Sequence, residues 1–239
     1  MINFLQAKWE NIIMANYAVP KAVLLPYLPK GLQIDTYQGI AYVSLVGFLF
    51  KDSKIFNFPI PKLGTFEEVN LRFYVYRKEG SDIKRGVVFI NETVPYKAVA
   101  WLANKLYKEH YTAVKTRHNW TVTSQNKLIT YQWLVKRKWN SIVVEAKNES
   151  LILEKDSFEE FIFEHYYGYT KVNAGITEEY KINHPSWNIN TITNTTIDCD
   201  FEANYGSDFA FLNQVKPTSV FMAEGSAIEV KWKRNKFYT

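Results

Sequence analysis

The chain has 239 residues, of which 47% are hydrophobic and 16% aromatic, and it carries a formal net charge of +5. That length buries a sizeable core, and the charge is too scattered for a nucleic-acid patch: Lys136-Arg137-Lys138 and Lys231-Trp232-Lys233-Arg234 are short and read as solvated strand ends. No apolar run approaches the ~20 residues of a membrane span, Met1-Ile2-Asn3-Phe4 does not begin a signal peptide, and the lone Cys199 excludes an intramolecular disulfide, so a cytoplasmic location is expected. Asp198 and Asp200 beside Cys199 would raise its thiol pKa and disfavour a nucleophilic role.

In chain order, Lys21 to Leu28 suggests a short amphipathic helix with an irregular end at Pro26. Ile40 to Phe50 is a near-continuous apolar run expected to form a buried strand. Lys54 to Gly64, with Pro59 and Pro61, reads as a loop or hairpin tip. Thr65 to Val75 then reads as a strand rich in Val, Leu, Phe and Tyr. Alternation puts Glu67, Val69, Leu71, Phe73 and Val75 on one face and Glu68, Asn70, Arg72, Tyr74 and Tyr76 on the other. Burying such a polar row is costly unless each group has a partner or faces a wet cavity, which makes it the leading site.

Arg85 to Val94 is the expected hairpin partner across Gly80-Ser81-Asp82. Pro95 opens a helix over Tyr96 to Lys108. Residues 117–147 alternate as a three-strand meander with breaks at Ser124-Gln125-Asn126 and Trp139-Asn140-Ser141. Ser157 and Glu160 form a capping box for a helix through His165, Ser207 or Asp208 would cap another over Gly206 to Gln214, and Ser219 to Trp232 returns to strand. Many strands, few short helices and no βαβ rhythm predict an α+β, mainly antiparallel β domain over residues 1–239, its sheet curling or closing.

The four histidines, His110, His118, His165 and His184, show no metal-ligand spacing, so no metal is expected. Neither a Gly-rich phosphate loop nor a Gly-x-Ser-x-Gly elbow is present, and no cofactor is expected. Glu68, Asn70 and Arg72 have two readings. They are a solvated edge or an internal ion pair, or they are polar equipment inside an apolar cavity. In the second case Arg72 holds a carboxylate through paired N–H donors and Glu68 serves as acid or base if burial raises its pKa. Glu164-His165-Tyr166-Tyr167 and His184-Pro185-Ser186-Trp187 form a second aromatic and polar cluster, whose histidines read first as structural.

Several segments in order carry a resemblance: Asn16-Tyr17-Ala18-Val19-Pro20, Leu28-Pro29-Lys30-Gly31-Leu32, Tyr42 to Phe48, Phe66 to Arg72, Arg85 to Ile90, Glu164-His165-Tyr166, His184-Pro185-Ser186-Trp187 and Ser219 to Ser226. Together they resemble the YqjF-like proteins, a bacterial family of unknown function that is distantly similar to acetoacetate decarboxylase. The resemblance implies a cone-like closed β-barrel flanked by antiparallel sheet and a few helices, with a cavity in the cone. It also supplies a test. That decarboxylase forms a Schiff base on a lysine activated by a neighbouring cationic group. The corresponding stretch here reads Lys108-Glu109-His110-Tyr111, with Tyr111 where the lysine would stand; no Lys-Lys pair occurs, and Lys115 lies about 13 Å further along an extended chain. The resemblance makes Glu68 a counterpart of a cavity carboxylate.

The expected function is therefore binding of a small acidic or carbonyl-containing molecule without Schiff-base chemistry. Arg72 would anchor it, Glu68 and Asn70 would orient it, and Tyr74 and Tyr111 would add hydrogen bonds. One alternative is a lyase- or hydrolase-type enzyme using Glu68 or His165 as acid or base; another is a structural or interaction protein with a filled barrel. Neither a nucleic-acid nor a membrane partner is expected, and homo-oligomerisation is left open.

Overall fold

Strands dominate the computed structural model, which describes residues 3–238, as the β-branched and aromatic content predicts. The sixteen strands are β1 (Asn3–Val19), β2 (Gln33–Ile34), β3 (Ala41–Ile55), β4 (Phe58–Pro59), β5 (Phe66–Glu79), β6 (Asp82–Val94), β7 (Tyr111–Ala113), β8 (Thr116–Val122), β9 (Asn126–Val135), β10 (Lys138–Leu151), β11 (Tyr167–Asn173), β12 (Ile176–Asn183), β13 (Ile189–Asp198), β14 (Ser219–Ala223), β15 (Ala227–Lys231) and β16 (Asn235–Tyr238). The α-helices are α1 (Lys21–Leu24), α2 (Lys97–Tyr107), α3 (Phe158–Phe163) and α4 (Phe201–Tyr205). None is long and apolar enough to cross a membrane.

The strand β1 organises the sheet. Along its length it pairs with β3, while its first part pairs with β15 and its second with β14. The ladder register shifts between Glu10 and Ile13, where Asn11 adopts a left-handed φ of 51°, and a bulge of this kind lets a strand bend from one partner to another. From β3 the pairings run through β5, β6, β11, β12 and β15 and come back to β1. From β14 they run outward through β13, β10, β9 and β8. Most neighbours are antiparallel, but β6 pairs in parallel with both β7 and β11, which pure meander logic does not anticipate.

Two apolar clusters follow from this arrangement, and β5 separates them. Val69, Leu71, Phe73 and Val75 pack with Ile129, Tyr131 and Trp133 of β9 and Ile142 and Val144 of β10. The opposite face of β5 meets Ile12, Met14, Val46, Phe48, Phe89, Ile182 and Val230, gathered from the strands that lead back to β1. A strand buried on both faces and flanked by β3 and β6 is not an edge, so the solvated-edge reading of the polar row is set aside.

Other expectations shift in detail. The helix after Pro20 is shorter than expected, with one turn of tighter helix at Leu25–Tyr27 where Pro26 sits. The second break of the meander falls at Lys136-Arg137, both left-handed (φ 46° and 68°), and Trp139-Asn140-Ser141 lies inside β10. Half of the capping box is formed: Ser157 Oγ accepts from the Glu160 N–H at 3.1 Å, the Glu160 carboxylate accepts from the Asp156 N–H at 2.6 Å instead of that of Ser157, and α3 ends at Phe163. The later cap is misassigned. Asp200 caps α4, accepting from the Ala203 N–H at 2.9 Å, and the tight helix at Ser207–Gln214 has no side-chain cap. Ser219 to Trp232 is two strands, parted at Glu224-Gly225-Ser226.

Candidate functional site

The second cluster encloses a cavity of about 230 Å3. Its walls are largely aromatic and aliphatic, including Trp9, Phe48, Phe50, Phe66, Phe89 and Trp187. Helix α2 closes one side through Ala98, Val99, Leu102 and Ala103, while Ile60 and Leu63 reach in from the loop after β4. Into this apolar space project Glu68, Asn70 and Arg72 of β5, Glu92 of β6, and Glu109 and Tyr111 from the segment after α2.

Each arrives by a definite local cause. Glu68, Asn70 and Arg72 alternate on an unbroken stretch of β5, so all three point the same way. On β6, Val87 and Phe89 face the cavity side, and strict alternation would bring Asn91 in next. A bulge intervenes: Arg72 pairs with Phe89 but Leu71 with Asn91, leaving Ile90 extra. Beyond it Glu92 and Val94 face inward, directly opposite Asn70 in the ladder. The left-handed Lys108 (φ 55°) ends α2 and turns the chain back. Asn104 then clamps the returning backbone, donating to the Tyr111 carbonyl at 2.9 Å and accepting from its N–H at 2.7 Å. His110 spends its carbonyl on the Glu92 N–H at 3.0 Å.

The hydrogen bonds are uneven. Asn70 Nδ2 donates to Glu68 Oε1 at 3.0 Å, and the Tyr111 hydroxyl donates to Glu68 Oε2 at 3.4 Å. Glu109 Oε1 accepts from Tyr180 at 3.0 Å and from Thr170. Among the described residues Arg72 forms no ion pair; its Nη2 rests 3.4 Å from Met14 Sδ, a weak acceptor. Of the ten buried polar atoms without a protein partner among the described residues, six are on cavity-lining residues: Trp9 Nε1, Ser53 Oγ, Asn70 Oδ1, Arg72 Nε, Glu92 Oε2 and the Tyr107 hydroxyl.

Burial dominates the electrostatics, because removing a carboxylate from water favours its neutral form. It pushes Glu68 and Glu109 up to about 7, against hydrogen bonds that pull each down. It raises Glu92 well above the usual carboxylate range, with Glu109 and Glu68 adding repulsion and a hydrogen bond from Tyr111 opposing. It also raises the Tyr111 phenol, with the same help from Glu68 and Glu92. Arg72 lowers the Glu68 pKa without touching it.

The remaining sequence-derived residues lie elsewhere. Tyr74 shares the face of Arg72 but not the cavity wall: its hydroxyl meets Ser44 Oγ at 2.5 Å, and Ser44 donates to Asn16 Oδ1 at 2.5 Å. His165 is buried against Tyr74 and Phe161, with Nε2 3.3 Å from Asp35 Oδ2. Burial holds its imidazole below the usual range, opposed by Asp35. It too is absent from the cavity wall. The second sequence cluster does assemble, His184 stacking on Trp187 at 4.1 Å and on Tyr166 at 4.6 Å, yet only Trp187 lines the cavity. Glu92 and Glu109 are the site residues that sequence reading missed.

This mainly-β α+β arrangement is similar to the fold of acetoacetate decarboxylase-like proteins. The acetoacetate decarboxylase of Legionella pneumophila superposes with a TM-score of 0.64 at 8% identity, covering 99% of this chain and 87% of that one. An acetoacetate decarboxylase-like enzyme from Sphingomonas wittichii RW1 gives 0.65 at 8% identity, with 100% and 95% covered. The enduracididine biosynthesis enzyme MppR, in complex with the condensation product of pyruvate and imidazole 4-carboxaldehyde, gives 0.64 at 11%, with 97% and 88% covered. At such identities the likeness is one of fold. The chain itself belongs to the DUF2071 family of uncharacterized conserved proteins, which it matches over residues 6–227. The uncharacterized protein YqjF of Bacillus subtilis (strain 168) is 32% identical over 84 residues, a stretch spanning 35% of this chain and 33% of YqjF.

Proposed function

We propose that this protein binds a small organic acid inside a cone-like closed barrel formed by β1, β3, β5, β6, β11, β12 and β15, without Schiff-base chemistry. The observation that carries the reading is Arg72, a guanidinium held at an apolar cavity with no protein carboxylate paired to it. Such a group is suited to a planar carboxylate through two parallel N–H donors. Glu68, Asn70 and Tyr111 orient the ligand. A volume of about 230 Å3 falls below the roughly 300–1,000 Å3 of drug-sized pockets, which favours a metabolite, and a space of this size argues against a filled, purely structural barrel. No lysine lines the described cavity wall, which supports excluding the decarboxylase's covalent route; the pyruvate complex of MppR concerns that protein.

The test is a thermal-shift screen of small carboxylic acids with wild type and Arg72→Ala. A stabilisation by wild type that disappears in the variant supports the reading; an equal shift in both refutes it.

A second reading, acid–base catalysis, is favoured by Glu68 having a pKa near 7 in a cavity. His165 is a poor vehicle for it, being sealed against Asp35 away from the cavity. Turnover of a keto- or hydroxy-acid panel with a bell-shaped pH profile that collapses in Glu68→Gln would support it, and absence of turnover across the panel would remove it.

A further inference from the structure

The unpartnered atoms of the cavity have a pattern that an acid alone does not answer. Asn70 and Glu92 face each other across the β5–β6 ladder, so their Cβ atoms stand about 4.5–5.5 Å apart and their side chains emerge on the same face. Both are deeply buried, at 1% and 3% exposure. Each has an oxygen without a donor, Asn70 Oδ1 and Glu92 Oε2. The amide orientation of Asn70 is set by its donation to Glu68, so Oδ1 is the atom left over. One inward-facing position further along β5, Arg72 Nε is a donor without an acceptor. Two acceptors therefore lie beside a donor fork at the cavity wall, each covered by its neighbours, so a ligand meets them as these side chains turn into the cavity.

Charge points the same way. Three carboxyl groups and one unpaired guanidinium line the described cavity wall. With an anion at Arg72 alone the carboxyl groups stay in the neutral form that burial favours, whereas a cationic group beside one of them would stabilise its ionised form. The three do not converge as metal ligands, since no group of three His, Cys, Asp or Glu among the described residues is placed to hold an ion. The walls, meanwhile, offer aromatic faces from Trp9, Phe48, Phe66 and Trp187, surfaces that accept cations as well as hydrocarbon.

We infer that the ligand is a zwitterion of the α-amino acid type with an apolar side chain, its ammonium seated between Asn70 Oδ1 and Glu92 Oε2 and its carboxylate on Arg72. This deepens the organic-acid reading and rests on it. An ammonium has three donors and no acceptor, which matches two orphan oxygens, and its charge returns Glu92 to the ionised form that burial opposes. Glu92 is the residue that distinguishes an amino acid from the corresponding plain acid.

Matched probes test this by calorimetric titration at neutral pH: L-phenylalanine, 3-phenylpropanoate and 2-phenylethylamine, together with L-norleucine, hexanoate and pentylamine. The expected result is at least tenfold tighter binding of an amino acid than of its plain acid, with the ratio falling below about threefold in Glu92→Gln. Thermal unfolding of that variant confirms that it folds, and the wild-type ranking stands without it. A plain acid binding as tightly as its amino acid overturns the zwitterion and leaves the Arg72 reading intact. An amine binding as tightly as its amino acid, unaffected by Arg72→Ala, overturns the carboxylate anchor instead. No binding by any of the six overturns both.

Discussion

Glu92 is the residue under greatest tension. It is 3% exposed, has an oxygen without a donor, and faces two other carboxyl groups. Its folded pKa is raised, so the folded protein keeps this proton at a pH where the unfolded chain has released it, and the group's contribution to stability falls as pH climbs above about 4.5. His165 and His184 act oppositely: burial lowers both, so their contributions are lost on acidification. Comparing wild type with Glu92→Gln isolates the carboxyl. Without ligand, the variant's melting temperature relative to wild type should rise as pH climbs above about 4.5. A pH-independent difference would show that Glu92 does not titrate in the cavity. The residue scale also shows what could be read in advance. Glu68, Asn70 and Arg72 were legible because β5 alternates without interruption where they sit. Glu92 was hidden by the extra residue Ile90, which reverses the parity of β6, and nothing in the composition of Phe89-Ile90-Asn91-Glu92 announces a bulge. Tyr111 was reached through the family resemblance, whereas Glu109 required knowing that the chain returns after α2.

Among the elements, the parallel contact between β6 and β11 is a close joint built on glycines. Gly86 pairs with Tyr167, and Gly168 with Val87. A methyl group at Gly86 would collide with the Tyr167 backbone carbonyl, which cannot retreat without breaking the ladder. A methyl at Gly168 would collide with the Tyr180 ring, which lines the cavity and donates to Glu109 at 3.0 Å. The two glycines should therefore fail differently. Gly86→Ala is expected to lose on the order of 2 kcal/mol or more in urea unfolding, within the range for overpacked sites. Gly168→Ala should fold but drive Tyr180 from its place, reducing affinity for any cavity ligand at least tenfold by titration. Equal binding by Gly168→Ala and wild type would show that Tyr180 has room to move. The meander β8–β9–β10 was legible from alternation and turn residues; the parallel pairings were not, because they join strands distant in sequence and carry no local turn signal.

At the scale of the whole molecule, long-range pairing dominates. Gln6 and Glu229, 223 residues apart, share a side-chain hydrogen bond at 3.2 Å across β1 and β15. Loop-closure entropy must be overcome before such contacts contribute, so folds of this kind form slowly and through intermediates. Refolding from urea is expected to recover far-UV circular dichroism first and ligand-binding competence in a later phase, on the order of a second or longer. Simultaneous recovery would argue that the cavity forms with the first strands. The mainly-β class was predictable from composition; which strand closes against which was not, since β1 gives no turn signal pointing to β3, β14 or β15. The joining of β1 to β15 also bears on synthesis. Translation delivers β1 well before β15, so a wall of the cavity is missing until β15 has been made. On the proposed ligand-binding reading, a metabolite meets the complete site only after β15 has joined β1, and protection from turnover is the route by which it would raise abundance.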